Sequence, residues 1–157
     1  MQLQTVLYSI LLSLLPISEL RGAIPYALSQ GMPIVSAYLI CVGANILVGP
    51  LVFLFLSTLH RIFCFLRFYR TIFNKVVKRS RKRVEEKIDR FGYLGLVIFV
   101  AIPLPITGAY TGALGAWVLG MKKRKSFVAI AAGVIIAGFI VAMISVLGIK
   151  ALNIFLK

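Results

Sequence analysis

The sequence has little acidic charge and few of the side chains that carry catalysis or bind metals. Of its 157 residues only four are Asp or Glu, one is His and two are Cys. Glu85, Glu86 and Asp89 stand among lysines and arginines, where ion pairs along a helix explain them better than a metal site does. No Ser/His/Asp arrangement, phosphate loop or dinucleotide-binding glycine motif is present. We therefore expect no enzyme activity and no cofactor or metal.

Hydrophobic residues dominate the chain instead. They make up 61% of it, and the mean hydropathy is +1.00, well above the values of ordinary soluble domains. A water-soluble domain of this length leaves a large share of its surface exposed and could not bury so many apolar side chains. We therefore expect an all-α integral membrane protein that forms a single membrane domain over 1–157, with the lipid bilayer as its main partner.

The net charge of +14 is concentrated in two places. Eleven of the 18 basic residues lie between Arg61 and Arg90, and four more form the run 122–125. Lys and Arg beside apolar segments mark the cytoplasmic side of a membrane protein, and this placement argues against nucleic-acid binding. The pattern predicts a multi-pass protein of the plasma (inner) membrane, with an amphipathic, interfacial helical connector at 60–92 that faces the cytoplasm and its anionic lipids.

Four apolar stretches, at 3–30, 34–59, 93–121 and 127–149, predict the arrangement in the bilayer. The stretches 34–59 and 127–149 carry no charge and are long enough to span a hydrocarbon core of about 30 Å. We expect Gly49-Pro50 to bend the first of them.

The other two stretches are interrupted by proline and glycine. The segment 93–121 is broken at 103–108 and has basic residues on both flanks, which predicts a re-entrant hairpin that enters and leaves on the cytoplasmic side. The segment 3–30 is broken at 16–25 and lacks basic flanks, which predicts a hairpin from the outer side. Both chain termini are then outside.

These elements predict an inverted repeat, in which 1–59 and 93–157 each contain a hairpin and one spanning helix. Two dipeptides support it: Gly22-Ala23 aligns with Gly108-Ala109, and Gly31-Met32 aligns with Gly120-Met121. Broken helices in inverted repeats are typical of transporters. Small residues recur every four positions in both spans and predict close helix packing, which also permits a homodimer; they are Ala37, Cys41, Asn45 and Gly49 in one span and Ala129, Gly133 and Ala137 in the other.

Glu19 and Arg21 are the only charged residues within an apolar stretch, and ionisable groups at membrane depth mark functional sites by default. Pairing with each other to stabilise the turn is the structural alternative. The half-helices that begin near Gly22 and Gly108 would present N–H groups and partial positive charge to an anion. Glu19, removed from water, is the expected proton carrier. The predicted substrate-binding set is Glu19, Arg21, Gly22, Ser18, Pro25, Pro103, Pro105, Thr107, Gly108 and Asn45, with Ser18 and Thr107 as helix N-caps or ligand contacts and Asn45 as a packing or substrate residue.

At the two breaks the sequence resembles the small multidrug export family. The resemblance rests on Glu19-Leu-Arg-Gly-Ala-Ile-Pro25 and on Pro103-Leu-Pro-Ile-Thr-Gly-Ala109 with Gly112, and it covers nearly the whole chain. That family is distantly similar to the DedA (SNARE-associated, VTT-like) group, which implies re-entrant hairpins and a proton-linked role in moving polyprenyl phosphate or phospholipid. The second break departs from the DedA pattern because it carries no charged residue.

Three functions follow as expectations. The first is a flippase or secondary transporter of an anionic amphiphile such as a lipid phosphate, which uses Arg21 and the helix ends with Glu19 as proton carrier. The second is a proton-coupled exporter of small cationic drugs, in which Glu19 alone binds substrate. The third is a non-transporting membrane scaffold whose basic connector recruits anionic lipid or partners.

Overall fold

The computed structural model describes residues 3–63, 92–104 and 107–155, and the regular structure in these ranges is helical throughout. The helices are α1 (Leu3–Leu14), α2 (Glu19–Ser29), α3 (Ile34–Ile46), α4 (Val48–Phe63), α5 (Tyr93–Ala101), α6 (Ala109–Val118) and α7 (Lys123–Phe155). The all-α prediction is therefore confirmed for these ranges. Pro105 and most of the predicted connector, from 64 to 91, lie outside the described residues.

Two stretches are long and apolar enough to cross a bilayer. One runs through α3 and α4 over Ile34–Thr58, and the other occupies α7 over Lys123–Gly148, with 25 and 26 residues respectively. At 1.5 Å per residue each is about 38 Å long, which exceeds a hydrocarbon core of about 30 Å. These are the two spans that the sequence predicts.

A single turn residue, Leu47, separates α3 from α4. The backbone N–H of Leu51 donates to the carbonyl of Leu47 at 3.2 Å as the helix resumes. Pro50 accounts for the interruption, because it has no N–H to donate to the carbonyl of Ile46 and is best tolerated in the first turn of a helix. The irregularity predicted at Gly49-Pro50 thus lies just ahead of that pair.

The remaining four helices, α1, α2, α5 and α6, have 9 to 12 residues. Helices of this length measure about 14–18 Å and cannot cross a bilayer alone. α2 contacts α3 and α7, and α6 contacts α4 and α7. The second helix of each short pair, α2 after α1 and α6 after α5, therefore packs between the two long stretches, α3–α4 and α7. The core lies where these helices meet.

Matching turns end the two central short helices. Gly31 and Gly120 both have positive φ, of 77° and 69°, a conformation that glycine adopts without steric cost. Met32 and Met121 follow them, and the N–H of each donates to the carbonyl five residues earlier, at 3.1 and 3.0 Å. This is the Schellman pattern of helix termination. The Gly-Met pairs aligned in the sequence therefore occupy the same local structure.

Small residues create the close packing that the sequence predicts. Every member of both predicted stripes is buried. A Cβ on Gly133 would lie 2.7 Å from Cβ of Val100 and 2.9 Å from the carbonyl oxygen of Val97, so a glycine there lets α5 lie directly on α7.

The start of α5 and the start of α7 meet at one end of the molecule. The backbone N–H of Lys122 donates to the hydroxyl of Tyr93 at 3.1 Å, and Nζ of Lys125 lies 5.7 Å from the centre of the Tyr93 ring. Nζ of Lys123 donates to Oγ of Ser57 near the end of α4, at 3.4 Å. The two ends of the segment 93–121 therefore lie close together, beside the end of α4.

Large apolar side chains cover the outside. In the described part of the chain nine of them are each more than 60% exposed, eight on α1, α3, α4 and α7 and one in the turn after α1: Leu3, Ile17, Val35, Leu39, Leu54, Phe55, Val128, Phe139 and Leu147. An apolar surface of this extent marks contact with a membrane or a partner.

Candidate functional site

The site forms where the interrupted helices end inside the structure. The last carbonyl groups of a helix have no partners within it and must find them elsewhere. At the end of α1, the carbonyl of Ser13 accepts a hydrogen bond from Nδ2 of Asn45 at 3.0 Å, and the carbonyl of Leu14 accepts one from the hydroxyl of Tyr110. Side chains of α3 and α6 therefore complete the end of a helix that is distant in sequence.

Glu19 provides an acceptor for an unpaired N–H group at the start of α6. It is only 7% exposed, and its Oε1 accepts a hydrogen bond from the backbone N–H of Tyr110 at 3.4 Å. This N–H is one of the first in α6, where the helix carries its partial positive charge. The carboxylate of the first break thus stabilises the first turn of the helix that follows the second break.

The backbone of Glu19 is itself unusual. Its φ is 44°, and among the described residues it is the single non-glycine with positive φ. This conformation costs about 1–2 kcal/mol for an L-residue. Such strain concentrates at functional sites, where surrounding contacts maintain it. Here the contact with α6 offsets the cost.

Gly108 provides the space for this contact. A Cβ at this position would overlap both carboxylate oxygens of Glu19 and lie 2.6 Å from its carboxyl carbon. The φ of Gly108 is 165°, which is extended backbone open to any residue. The need for glycine therefore comes from the carboxylate and not from the backbone angle.

Arg21 lies beside this contact. Its guanidinium Nη2 donates to the carbonyl of Ile17 at 3.2 Å, its charge acts on Glu19, and its side chain is half-buried. Arg21 therefore holds the turn that connects α1 to α2 and adds a positive charge next to the Glu19 carboxylate.

A cavity of about 20 Å³ lies between these groups, roughly the space needed for one water-sized group. Its walls include six of the ten predicted binding residues, namely Glu19, Arg21, Asn45, Pro103, Thr107 and Gly108, together with apolar residues of α5, α6 and α7. Ser18, Gly22 and Pro25 are not part of its lining, and Pro105 lies outside the described residues.

The two hydroxyl groups predicted as N-caps do not act in that way. Ser18 is the N-cap residue of α2, but its side chain makes no capping hydrogen bond. Gly108, not Thr107, is the N-cap residue of α6. The Thr107 hydroxyl donates to the carbonyl of Ile102 and accepts from the N–H of Leu104 at 3.1 Å, so it closes the turn after α5.

Gly22 and Pro25 shape α2 instead of lining the cavity. A Cβ on Gly22 would overlap Oγ of Ser18, so this glycine leaves room for the preceding turn. Pro25 lies inside α2, where it has no N–H to donate to the carbonyl four residues earlier. Gly22 therefore leaves space at the start of α2, whereas Pro25 removes one hydrogen bond from the interior of that helix.

Tyr110 was missing from the predicted binding set. Its N–H holds Glu19 and its hydroxyl caps α1, so it joins both breaks. Its position, a hydroxyl-bearing aromatic residue just after the second break, was the available signal.

Comparison with protein families identifies the relationship. The family model described as "Putative small multi-drug export protein" matches residues 19–140. The chain belongs to this family. The match begins at Glu19, inside the first break, and runs through the second break to residue 140 within α7. It therefore contains every residue that lines the cavity except Val141. The description of the family names export of small molecules, which agrees with the two apolar stretches that are long enough to cross a membrane. Searches of curated proteins and of solved structures found no match.

Proposed function

We propose that this protein exports small amphipathic cations across the membrane in exchange for protons, and that Glu19 binds the two in turn. The observation that carries this proposal is the buried Glu19 carboxylate held against the first turn of α6. The description of the family supports export of small molecules. Burying a carboxylate at membrane depth costs free energy, so a carboxylate at that depth marks a functional site by default.

Competition for this carboxylate supplies a coupling mechanism. While Glu19 is ionised, the Tyr110 N–H and the positive end of α6 attract it and tie α2 to α6. A proton or a cation neutralises the carboxylate and weakens that attraction. Because the proton and the cation cannot both bind, uptake of one from one side requires release of the other, which is the basis of exchange.

The arrangement in the membrane is part of the proposal. We place α1–α2 and α5–α6 as re-entrant hairpins of an inverted repeat in the plasma membrane, with the basic connector in the cytoplasm. Support comes from the short helices, from the matching Gly31 and Gly120 turns, and from the Tyr93–Lys122 contact that brings the ends of 93–121 together. Cysteine labelling should reach positions 78 and 123 from the cytoplasm only.

Transport of an anionic amphiphile, such as polyprenyl phosphate or a phospholipid, is the second candidate. It is favoured by Arg21, which lines the cavity beside the positive end of α6. It is disfavoured because the Glu19 carboxylate already occupies the helix end where the sequence predicts an anion. A lipid phosphate would have to displace a group that the chain itself provides. The distant likeness to the DedA group stays a prediction.

The test is uptake into proteoliposomes. We would compare dansylcadaverine, a fluorescent primary amine, with labelled polyprenyl phosphate and labelled phospholipid, with and without a pH gradient, and use protein-free vesicles to correct for passive entry. We expect gradient-driven amine uptake that Glu19→Gln reduces to the protein-free level. Gln30→Ala, at an exposed residue at the end of α2, is the matched control and should be unchanged.

Arg21→Ala separates the two candidates. Removing the positive charge beside Glu19 should leave amine uptake intact or raise it, because a cation then meets less repulsion. Movement of lipid phosphate that disappears in Arg21→Ala would support the second candidate and overturn the first. A protein that moves none of the probes would fit the scaffold alternative.

A further inference from the structure

Asn45 carries an unused acceptor inside the site. The residue is 1% exposed, and Nδ2 donates to the carbonyl of Ser13. Its other polar atom, Oδ1, is fully buried and accepts no hydrogen bond from the described part of the chain. Buried acceptors in native proteins nearly always have a donor, because leaving one unpaired costs as much as a lost hydrogen bond. A donor from outside the described residues is therefore expected at this atom.

The orientation of the Asn45 amide is fixed by its surroundings. The partner at Ser13 is a carbonyl oxygen, which can only accept, so the NH₂ group must face it. Oδ1 then cannot exchange places with Nδ2 to satisfy itself. Asn45 and Glu19 both line this cavity, so a residue with a buried neutral acceptor and a residue with a buried carboxylate border one small space.

The size of that space limits what can enter. At about 20 Å³ it admits one group of the size of a water molecule. A primary ammonium group, –NH₃⁺, has about that size, is a compact charge and offers three N–H donors. A trimethylammonium group carries the same charge but is larger and has no N–H donor.

We propose that the cavity between Glu19 and Asn45 is the headgroup subsite for a primary ammonium ion, with Glu19 as counter-ion and Asn45 Oδ1 as the acceptor that selects N–H-bearing cations. The apolar part of the substrate then extends out of the cavity between the helices. The inference rests on the proposed export function and specifies its substrate class. Asn45 is the specificity-determining residue.

The test compares two ligands that differ only at the nitrogen, dansylcadaverine and its N,N,N-trimethyl derivative. Binding to the purified full-length protein in detergent is followed by dansyl fluorescence, and the quantity of interest is the ratio of the two Kd values. A hydrogen bond from a charged donor contributes about a factor of ten or more. We expect wild-type protein to prefer the primary amine by at least that factor.

Two variants at position 45 then test whether Oδ1 of Asn45 causes the preference for the primary amine. Asn45→Leu keeps the approximate shape but removes the acceptor, and the ratio should fall by about a factor of ten, to the preference that the size of the cavity alone imposes. Asn45→Asp retains an oxygen facing the cavity and should keep the ratio, because any added charge acts on both cations alike. The quaternary ligand is an internal reference, so a loss of folded protein changes both apparent affinities and leaves their ratio in place.

Equal affinities in wild-type protein, or a ratio that Asn45→Leu leaves unchanged, would overturn the inference. Failure of the parent proposal looks different. If the trimethyl derivative binds as well as the amine and is exported, cation export stands and the subsite is wrong. If neither ligand binds and neither is transported, the proposed function fails and the subsite fails with it.

Discussion

Gly108→Ala tests the contact between the two breaks most sharply, because the new methyl group would occupy the position of the Glu19 carboxylate. The Cβ would lie 2.6 Å from the carboxyl carbon, whereas carbon atoms approach comfortably to about 3.5 Å. The carboxylate must therefore move by about 1 Å, which is enough to break a hydrogen bond to Tyr110 that is already 3.4 Å long. Overpacking of this kind costs about 1–3 kcal/mol of unfolding free energy.

A double-mutant cycle shows whether Glu19 is the cause. In a Glu19→Ala background the obstructing carboxylate is gone, so adding Gly108→Ala should cost close to nothing, and the difference between the two backgrounds is the coupling energy. Gly115→Ala is the matched control, because it lies in α6, the helix that Gly108 precedes, and a Cβ there meets no atom of another element within 4 Å. We expect it to be neutral or slightly stabilising, since alanine favours helices over glycine.

The assay is reversible unfolding in mixed micelles of dodecyl maltoside and sodium dodecyl sulfate, followed by tryptophan fluorescence of Trp117. Gradient-driven amine uptake is measured on the same preparations and should fall in Gly108→Ala. Equal stability of Gly108→Ala and Gly115→Ala would refute the reasoning. So would a cost of Gly108→Ala that persists undiminished in the Glu19→Ala background.

Two further substitutions probe the elements around the site. Gly133→Ala should lower the unfolding free energy by about 1–3 kcal/mol, because its Cβ would lie too close to Val100 and to the α5 backbone. Adding Val100→Ala should restore part of that loss in the same micelle assay. If the second substitution restores nothing, this packing contact is wrong. Tyr110→Phe removes the hydroxyl that caps α1 and should cost about 1–3 kcal/mol, with reduced amine uptake; a variant as stable and active as wild type would show that the cap contributes nothing.

Much of the fold follows from local features of the sequence. Uncharged runs of sufficient length predict both spanning helices, and the small-residue stripes predict which faces pack. The sequence predicts the position of the break in the first span less exactly. Pro50 leaves the carbonyl of Ile46 without its helical donor, so the chain turns at Leu47 and not at the proline itself. Glycines at 31 and 120 mark helix ends because their positive φ is a local requirement.

The sequence predicts which residues form the site better than it predicts the contacts between them. Charge in an apolar stretch identifies Glu19 and Arg21, and the proline and glycine breaks identify Gly108. The partner of Glu19 is Tyr110, which is 91 positions away, and no local pattern specifies such a pairing. The sequence therefore predicts a positive helix end ready for an anion, and in the structure the carboxyl group of Glu19 lies at that end.

Thr107 illustrates the same limit over a shorter distance. A hydroxyl just before a helix predicts an N-cap, but the Thr107 hydroxyl forms its hydrogen bonds with two backbone groups of the preceding turn instead. The unpaired Oδ1 of Asn45 is likewise invisible in the sequence, because only the packing of α1 against α3 determines which end of the amide is used.

If the Glu19 carboxylate binds a proton and a cation alternately, binding of the cation must release the proton, and this release can be measured. Dansylcadaverine would be added to purified protein in weakly buffered detergent solution across pH 5 to 9 while a pH indicator dye records free protons. We expect wild-type protein to release protons as the amine binds, over some part of that range, and Glu19→Gln to release none. Release that persists in Glu19→Gln, or binding without release at every pH, would contradict it.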